Sequence, residues 1–480
     1  MPRFALLAAL IPSVLLVSCE LDYGSAGPSG VCQGQIHAVP ATLRIEVGRA
    51  AWVQVRDGPA PAPPGLSQLC ANVAFEATPN VTLLYWRSGE VLIAGVAAGQ
   101  TSVELQIGGS TVATIPVQIV APASAYQVVS VGIQNICALS EGGSLFCAGV
   151  SSYFPLESWW PARIPLIEPL IQVATRNGFG CGTAASGTVY CWGQGQFGQG
   201  SPVVWANTPS DTPTPLLVGP ARSVGVGESF GCALTVLRAV ECWGQNYLGQ
   251  LGVPRDSLGS FKLASVPTPE NMTAIAVGSG HACALDGTGG AWCWGRSGEG
   301  QLGTTQADQQ CGLEYRCLPA PARVAGDLRF AAIAAGWLHT CAIAVEGTAW
   351  CWGANAQGQL GTGDLLDSRV PRRAAVGLSF TALALGTFHS CGLTTGGLIY
   401  CWGRGREGQL GDGTFTGVAT TPVQVQSAFA FRSISAGGLN TCAVPVSGAA
   451  LCWGEGMSFQ LGRGADQTAT ATPTRISGQP

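Results

Sequence analysis

Residues Phe380 to Gly413 read FTALALGTFHSCGLTTGGLIYCWGRGREGQLGDG, and TPVQV follows at Thr421–Val425. The stretch holds four short β-type runs: TALAL, HSCGL, LIYCW and PVQV. Cys391 and Cys401 stand ten residues apart. Residues at that spacing face each other across a hairpin whose loop has an odd number of residues. A three-residue loop closes such a hairpin when its last position accepts a left-handed backbone, which favours Gly. Gly397 occupies that position.

The same pair recurs seven times: Cys137/Cys147, Cys181/Cys191, Cys232/Cys242, Cys283/Cys293, Cys341/Cys351, Cys391/Cys401 and Cys442/Cys452. The loop-closing position holds Gly143, Gly187, Gly289, Gly347, Gly397 and Gly448, with Arg238 as the exception. Directly opposed strand residues lie about 4.5–5.5 Å apart, within reach of a disulfide. Zinc-binding pairs usually sit two to four residues apart, so the spacing points to structural disulfides and not to metal. Cys32/Cys70 and Cys311/Cys317 form two further candidate pairs, leaving Cys19 alone among 19 cysteines. That many thiols in an even set indicates an oxidising compartment.

The pairs recur every 44 to 58 residues. A four-stranded unit repeating near that period is the signature of a propeller blade. The units resemble the regulator of chromosome condensation repeat. C-W-G recurs at Trp192, Trp243, Trp294, Trp352, Trp402 and Trp453, and G-Q-L-G at Gly249, Gly300, Gly358 and Gly408, with FQLG ending at Gly462. The first unit departs from the pattern, with Ala148 in place of Trp. The resemblance implies a seven-bladed β-propeller over residues 126–480, and its cysteine-rich version is similar to secreted bacterial members. A strand of the form P-x-x-[VIAE] begins at Pro161, Pro215, Pro267, Pro321, Pro371, Pro422 and Pro473. Placed before each hairpin, this set leaves the first blade one strand short and the C-terminus one strand over. The C-terminal strand is therefore expected to pair with the first hairpin and close the ring.

Before the repeats, Leu43, Ile45 and Val47 alternate with polar residues, as do Val81, Leu83 and Tyr85, then Val103, Leu105 and Ile107. Short alternating strands with Gly and Pro turns predict a β-sandwich over 36–120. GVAAGQTSVEL, from Gly95, resembles the bacterial immunoglobulin-like group 2 domain, and Cys32–Cys70 would staple its start. Residues 121–125 read as a linker. At the N-terminus, Arg3 precedes an apolar run from Phe4 to Val17 that ends Leu16-Val17-Ser18-Cys19. The run is short for a membrane span and reads as a signal peptide over 1–18. Its end resembles the bacterial lipobox, which implies lipidation of Cys19, a tether over 19–35, and export. Glu20 follows, which implies the outer membrane of a diderm bacterium.

Charged residues make up 10% of the chain, against roughly 25% in an average soluble protein. The net charge is −4 and no basic stripe occurs, so nucleic acid is excluded as a partner class. Gly403-x-Gly405-x-x-Gly408 and Gly193-x-Gly195-x-x-Gly198 match a dinucleotide fingerprint, but they open no helix and fall in the repeat's turn. His281, His339 and His389 occupy a slot held elsewhere by Asn135, Phe179, Phe230 and Asn440, which marks a structural position. His37 lies in the N-terminal sandwich without an evident partner. Asp364, Asp367 and Asp412 follow G-Q-L-G turns and read as solvated turn residues, with calcium as the alternative. No catalytic arrangement, metal site or cofactor site is legible.

These features describe a binding protein, not an enzyme, displayed from a membrane by a lipid anchor and recognising an unidentified protein or cell-surface ligand. Guanine-nucleotide exchange on a small GTPase, implied by nuclear members of the repeat family, is one alternative. A hydrolase or lyase using the central channel is another. The loops between each G-Q-L-G turn and the next Pro strand are the expected recognition face. They are long in the first four units (150–160, 201–214, 253–266, 304–320) and short in the last three (362–370, 412–421, 463–472). The long set carries Tyr153, Phe154, Trp159, Trp160, Trp205, Phe261 and Tyr315. Aromatic side chains on loops are the usual anchors of protein interfaces.

The lipobox has a direct test. Cys19→Ala should abolish the mass of the attached lipid and release the protein from membranes. An unchanged mass and unchanged membrane association would overturn lipidation.

Overall fold

A computed structural model describes residues 125–476 apart from 150–157, 194–209, 255–261, 307, 312–314, 416, 459 and 464–465, and, before them, nine strands between 17 and 120. The chain divides into two compact units, one of residues 1–124 with 477–480 and one of residues 125–476.

The first unit holds two sheets. One runs His37–Ala38, Val17–Asp22, Ala50–Asp57, Glu90–Gly95, Val81–Arg87, and the other Leu43–Glu46, Ser110–Val120, Gly99–Ile107, Val73–Ala77. The alternating runs expected at 43–47, 81–85 and 103–107 fall on strands, the first of them ending at Glu46. Val103 and Val117 are fully buried, as the inward phase of such alternation requires.

The second unit is a seven-bladed propeller. Blade six shows the plan: Phe380–Leu385, His389–Thr394, Ile399–Arg404 and Val418–Gln424 form one antiparallel sheet in that order. The first strands of neighbouring blades touch one another around the ring, so they line its axis. The second strands are buried along almost their whole length, and the outermost strand is the most exposed. That gradient explains the composition: apolar and small residues fill strands two and three, while Pro sits on the edge strand, where no neighbour needs its N–H.

The seven hairpin pairs face each other in register and are bonded. Cys137–Cys147, Cys181–Cys191, Cys232–Cys242 and Cys283–Cys293 bridge blades one to four. Cys341–Cys351, Cys391–Cys401 and Cys442–Cys452 bridge blades five to seven. Their Cα atoms are 4.0–4.1 Å apart, closer than the spacing expected for opposed strand residues. The bridge accounts for the difference, since it draws together two strands that already pair at that point. These cysteines belong to the core and present no surface: Cys191, Cys293, Cys351 and Cys452, on the third strands, are as fully buried as their partners Cys181, Cys283, Cys341 and Cys442. Cys311–Cys317 is also bonded. Cys32 and Cys70 lie outside the described residues.

The hairpins close as expected: in blade one, Gly143 N donates to Ser140 O and Ser140 N to Ser144 O. The left-handed residue of this loop then presents its carbonyl to the next blade. Gly143, Gly187, Arg238, Gly289, Gly347 and Gly397 accept from Leu170, Ala221, Met272, Phe330, Phe380 and Phe431 N at 2.8–3.0 Å.

The expected strand exchange at the ring's seam does not occur. Thr470–Arg475, which carries Pro473, is the outer strand of blade seven itself, paired with Leu451–Gly454. Ser158–Ile164, which carries Pro161, completes blade one. Seven hairpins and seven Pro strands repeat in either phase, so their order along the chain does not say whether each Pro strand precedes or follows its hairpin. The edge strand belongs to the hairpin before it, and every blade is one continuous stretch of chain. Packing closes the ring instead. Tyr126, Val129, Val131 and Ile136 of blade one form one buried cluster with Val444, Leu461 and Ile476 of blade seven. Val131 N donates to Ser435 Oγ at 3.1 Å.

The loops also differ from the expected spans. Outer strands start before their Pro, at Ser158, Ser210, Lys262, Ser368, Val418 and Thr470. A register shift at the C-W-G triplet, as between Cys191 and Gly193, lets the outer strand bend back into pairing. The fourth loop folds into a hairpin of Gln309–Cys311 with Tyr315–Arg323, giving blade four a five-stranded sheet.

Arg238 takes the left-handed backbone of its six Gly counterparts, with φ of 62°. A side chain there costs roughly 1–2 kcal/mol, partly offset by the greater unfolded-state entropy of Gly. Arg238→Gly should therefore stabilise the propeller by about 0.5–1 kcal/mol. A melting temperature that stays level or falls would show that the Arg238 side chain makes a compensating contact.

Candidate functional site

Two ends of the ring have different construction. The hairpin end carries the three-residue loops and the connections between blades. The turn end carries the G-Q-L-G turns, the loops after them, and the short links between first and second strands.

At the turn end each blade grips the next. The indole Nε1 of Trp294, Trp352, Trp402 and Trp453 donates to the carbonyl of Gln250, Gln301, Gln359 and Gln409 of the preceding blade, at 2.9–3.0 Å. The same carbonyls of Gln301, Gln359 and Gln409 accept from the hydroxyls of Thr340, Ser390 and Thr441 at 2.8–3.0 Å. Those hydroxyls lie 2.9 Å from His281, His339 and His389 Nε2. Since each hydroxyl proton goes to a carbonyl, the imidazole must be the donor, which fixes the Nε2–H tautomer.

The three histidines are fully buried. Burial pushes their pKa down to about 3 for His281 and His339 and about 4 for His389. Neutral and engaged between blades, they act as packing groups, in line with the structural slot expected from sequence. Asn135 and Asn440, in the same slot, donate to Thr175 Oγ1 and to the Glu455 carbonyl. The turn carboxylates are likewise occupied. Asp364 accepts from Arg372 at 2.7 Å, and its carboxyl lies far below the usual range because of that guanidinium. Asp367 accepts from Asn355 N, and Asp412 from Thr414.

Above this packed layer the inner rim of the turn end displays aromatic rings and guanidinium groups. The Trp337 and Phe388 rings, on the strand links of blades five and six, stack at 6.2 Å with 12° between planes. Arg404 lies over Phe388 at 5.7 Å and pairs with Glu407. Two blades back, Arg296 lies over Tyr315 at 5.2 Å and pairs with Glu299 at 2.5 Å. Arg296 and Arg404 occupy the same repeat position, just after C-W-G. Tyr247 is 44% exposed, its phenol pushed up by burial of its ring and by Glu228. Trp337 and Phe388 are partly exposed.

Of the residues singled out by sequence, Tyr315 falls at this end, on the outer strand of blade four under Arg296, 41% exposed. Trp159 and Trp160 lie on the outer strand Ser158–Ile164 and not on a loop. Tyr153, Phe154, Trp205 and Phe261 lie outside the described residues. Cys19 is on the strand Val17–Asp22, opposite Val55. Trp337, Phe388, Arg296, Arg404 and Tyr247 were not singled out. For Trp337 and Phe388 the signal is the pair of free positions inside G-x-x-[HNF], as in Gly336-Trp337-Leu338-His339 and Gly386-Thr387-Phe388-His389, where the repeat imposes no residue.

The RCC1-like domain model matches residues 156–479, about two thirds of the chain. The chain belongs to the RCC1-like domain family. Over 192 residues it is 32% identical to the ultraviolet-B receptor UVR8 of Arabidopsis thaliana, a stretch covering 38% of this chain and 41% of the receptor. Over 211 residues it is 29% identical to the human probable E3 ubiquitin-protein ligase HERC4, covering 42% of this chain and 19% of the ligase. The matched stretches thus span less than half the length of these relatives. In structure the RCC1-like ring is similar to Prp20p of Saccharomyces cerevisiae, with a TM-score of 0.58 and 20% identity, over 66% of this chain and 82% of that one. Human WBSCR16 matches with a TM-score of 0.59 and 21% identity, over 66% and 85%. These likenesses show the propeller fold.

The buried imidazoles of the RCC1-like ring make stability depend on pH. Their folded pKa values lie below the unfolded value of about 6.5. Below that pH the unfolded chain takes up protons that the folded chain does not, so stability is complete above about pH 6.5 and falls as the pH drops toward 4. Melting temperature should decline between about pH 6.5 and 5, above the range where most carboxylates titrate. Replacing His281, His339 and His389 by Asn, the residue that fills the slot in blades one and seven, should flatten that decline. An unchanged slope would assign it to other groups.

Proposed function

We propose that this protein is an exported, lipid-anchored binding protein, without catalytic activity, whose RCC1-like ring recognises a protein ligand through the inner rim of its turn end. The observation that carries this reading is the rim itself. Trp, Tyr and Arg are the side chains most enriched at the energetic centres of protein interfaces, and here they are held by stacking and ion pairs before any partner arrives. A preformed surface of this kind loses little side-chain entropy on binding.

Export is supported by the disulfide in each of the seven hairpins, since such bonds persist in oxidising compartments. The lipobox around Cys19 supports an anchor in the outer membrane of a diderm bacterium. The two N-terminal sheets then form an immunoglobulin-like domain that stands between the lipidated residue and the ring along the chain.

The test is capture of a partner by the full chain and its loss on surgery of the rim. Trp337→Ala with Phe388→Ala, and separately Tyr315→Ala, should each weaken capture by at least about 30-fold, the effect of removing a hot spot worth about 2 kcal/mol. The melting temperature should change little, because these rings are partly exposed. Undiminished capture would remove the rim from the interface, and a large drop in melting temperature would make the rings part of the core.

A further inference from the structure

The hairpin end carries a surface that partner recognition at the turn end does not use. Across blades five, six and seven it presents Val345, Val376, Leu398, Phe429 and Val446, each 41–77% exposed. Val345, Leu398 and Val446 are on the tips of consecutive hairpins, and Val376 and Phe429 are on the blade connections between them. The five form an arc, one apolar residue after another along a third of the ring's edge. Single exposed apolar residues are ordinary, and the ring exposes others, Leu365, Leu366, Phe415 and Met457 at the turn end and Ile167, Leu217 and Leu237 at the hairpin end, but only in this arc does a run on consecutive loop tips coincide with a basic collar.

The charges around the arc name what covers it. Arg329, Arg373, Arg432 and Arg475 are exposed at this end of the same three blades, against the carboxylates Asp327 and Glu346. Register fixes their level. Arg373 lies opposite Trp350 and Arg475 opposite Leu451, at the base of their hairpins. Arg329 directly precedes the first strand of blade five, and Arg432 is the second residue of that of blade seven. The chain as a whole carries −4, so a locally basic patch runs against its average. Apolar tips projecting beyond a basic collar match the layering of an anionic bilayer, with acyl chains below and phosphates above. The polypeptide that carries Cys19 also enters the propeller at this end, at Tyr126, the residue paired with Ser140 beside the first hairpin tip.

We infer that the hairpin end of blades five to seven rests on an anionic lipid surface, with the apolar tips in the interface and the arginines on lipid phosphates. This inference rests on the membrane anchoring proposed above and adds an orientation to it: the turn-end rim then faces away from the bilayer. A lipid chain holds a protein near a membrane without fixing its attitude, and a second contact supplies that.

The experiment uses the chain with Cys19→Ala and without residues 1–18, so that neither an acyl chain nor the apolar run Phe4–Val17 contributes, and sedimentation with vesicles of phosphatidylethanolamine containing phosphatidylglycerol, against vesicles of phosphatidylcholine alone. The protein should sediment with the anionic vesicles and not with the neutral ones. Val345→Asp, Val376→Asp and Phe429→Asp together should weaken partitioning about tenfold or more. Arg373→Gln with Arg432→Gln should weaken it and flatten its dependence on salt. Both sets alter exposed side chains, and melting curves identical to the parent confirm the fold. Trp337→Ala with Phe388→Ala should bind vesicles like the parent. The inference is overturned if the parent ignores anionic vesicles, if the apolar variant binds them undiminished, or if the arc instead joins two copies of the chain, seen as a concentration-dependent dimer that the Asp variant abolishes. Failure here leaves lipidation of Cys19 standing, since the mass of the membrane-extracted chain decides that separately.

Discussion

The ring depends on one repeated joint: in blades two to seven, an indole packed with the disulfide of the blade before it. Trp192 packs in the cluster of Cys137 and Cys147, Trp243 in that of Cys181 and Cys191, and Trp294 in that of Cys232 and Cys242. Trp352 packs with Cys283 and Cys293, Trp402 with Cys341 and Cys351, and Trp453 with Cys391 and Cys401. The disulfide matters here as a surface. Two sulfurs bridging the central strands give each sheet a fixed apolar boss, and the neighbouring indole covers it. In four of these joints the indole also directs its single donor to the carbonyl of a Gln in the preceding blade, so a large aromatic is buried without leaving its N–H unmet. The last Gly of G-Q-L-G follows from this contact. A Cβ on Gly303, Gly361 or Gly411 would stand 2.6–2.7 Å from the next blade's indole. Blade, turn and disulfide are thus one unit of construction, and changing any part of it affects two blades.

The seam between blades seven and one shows how the joint adapts. Blade one lacks the Trp, with Ala148 in its place, and the residue opposite Ala148 is Ile136. In the other blades a Trp faces a small residue across the same pair: Gly180, Gly231, Ala282, Thr340, Ser390 and Thr441. The volume has moved from one strand to the other. Ile136 and Ala148 now pack in the cluster of Cys442 and Cys452, the disulfide that the missing indole would have covered. Ile136 Cδ1 reaches the space beside Gly462 that an indole fills elsewhere, with Ile476 also against it. Tyr126 and Phe146, 5.4 Å apart, fill out the rest of the cluster. This packing replaces the strand exchange that the order of Pro strands suggested. Because blade seven's own outer strand delivers Ile476 to the seam, the C-terminus still takes part in closure, through a buried side chain instead of a shared sheet.

How much of this was legible in sequence follows from what each contact demands. The ten-residue spacing, the Gly at the hairpin tip and the C-W-G triplet are local demands of backbone geometry, and they show directly in one dimension. The phase of the Pro strands was not legible, because a cyclic repeat looks alike whether an edge strand precedes or follows its hairpin. Trp159 and Trp160 read as loop residues because Pro161 resembles a strand start, whereas an edge strand tolerates Pro within it. The inner rim was missed for a different reason. Trp337 and Phe388 sit at positions where the repeat permits any residue, and a motif is defined by what recurs around such positions. Gly336, His339, Gly386 and His389 are fixed by packing. Trp337 and Phe388 are free, and free positions on a rigid frame are where recognition residues accumulate.

The joint also explains why the two ends of the ring can carry different chemistry. The imidazoles, hydroxyls and Gln carbonyls of the blade interfaces gather at the turn end and bond to one another there. Side chains added above that layer stand on a stiff, dehydrated base, which suits aromatic rings that must hold one orientation. At the hairpin end the blades are linked by backbone bonds from the left-handed loop residue to the next blade's first strand. Those bonds ask nothing of the side chains beside them. Val345 precedes its Gly by two residues and Leu398 follows its own by one, yet neither side chain takes part in the bond, so either position could hold a polar residue at no structural cost. Exposed apolar residues there are therefore not a by-product of the fold. They stand at positions the ring leaves open, on the end opposite the rim.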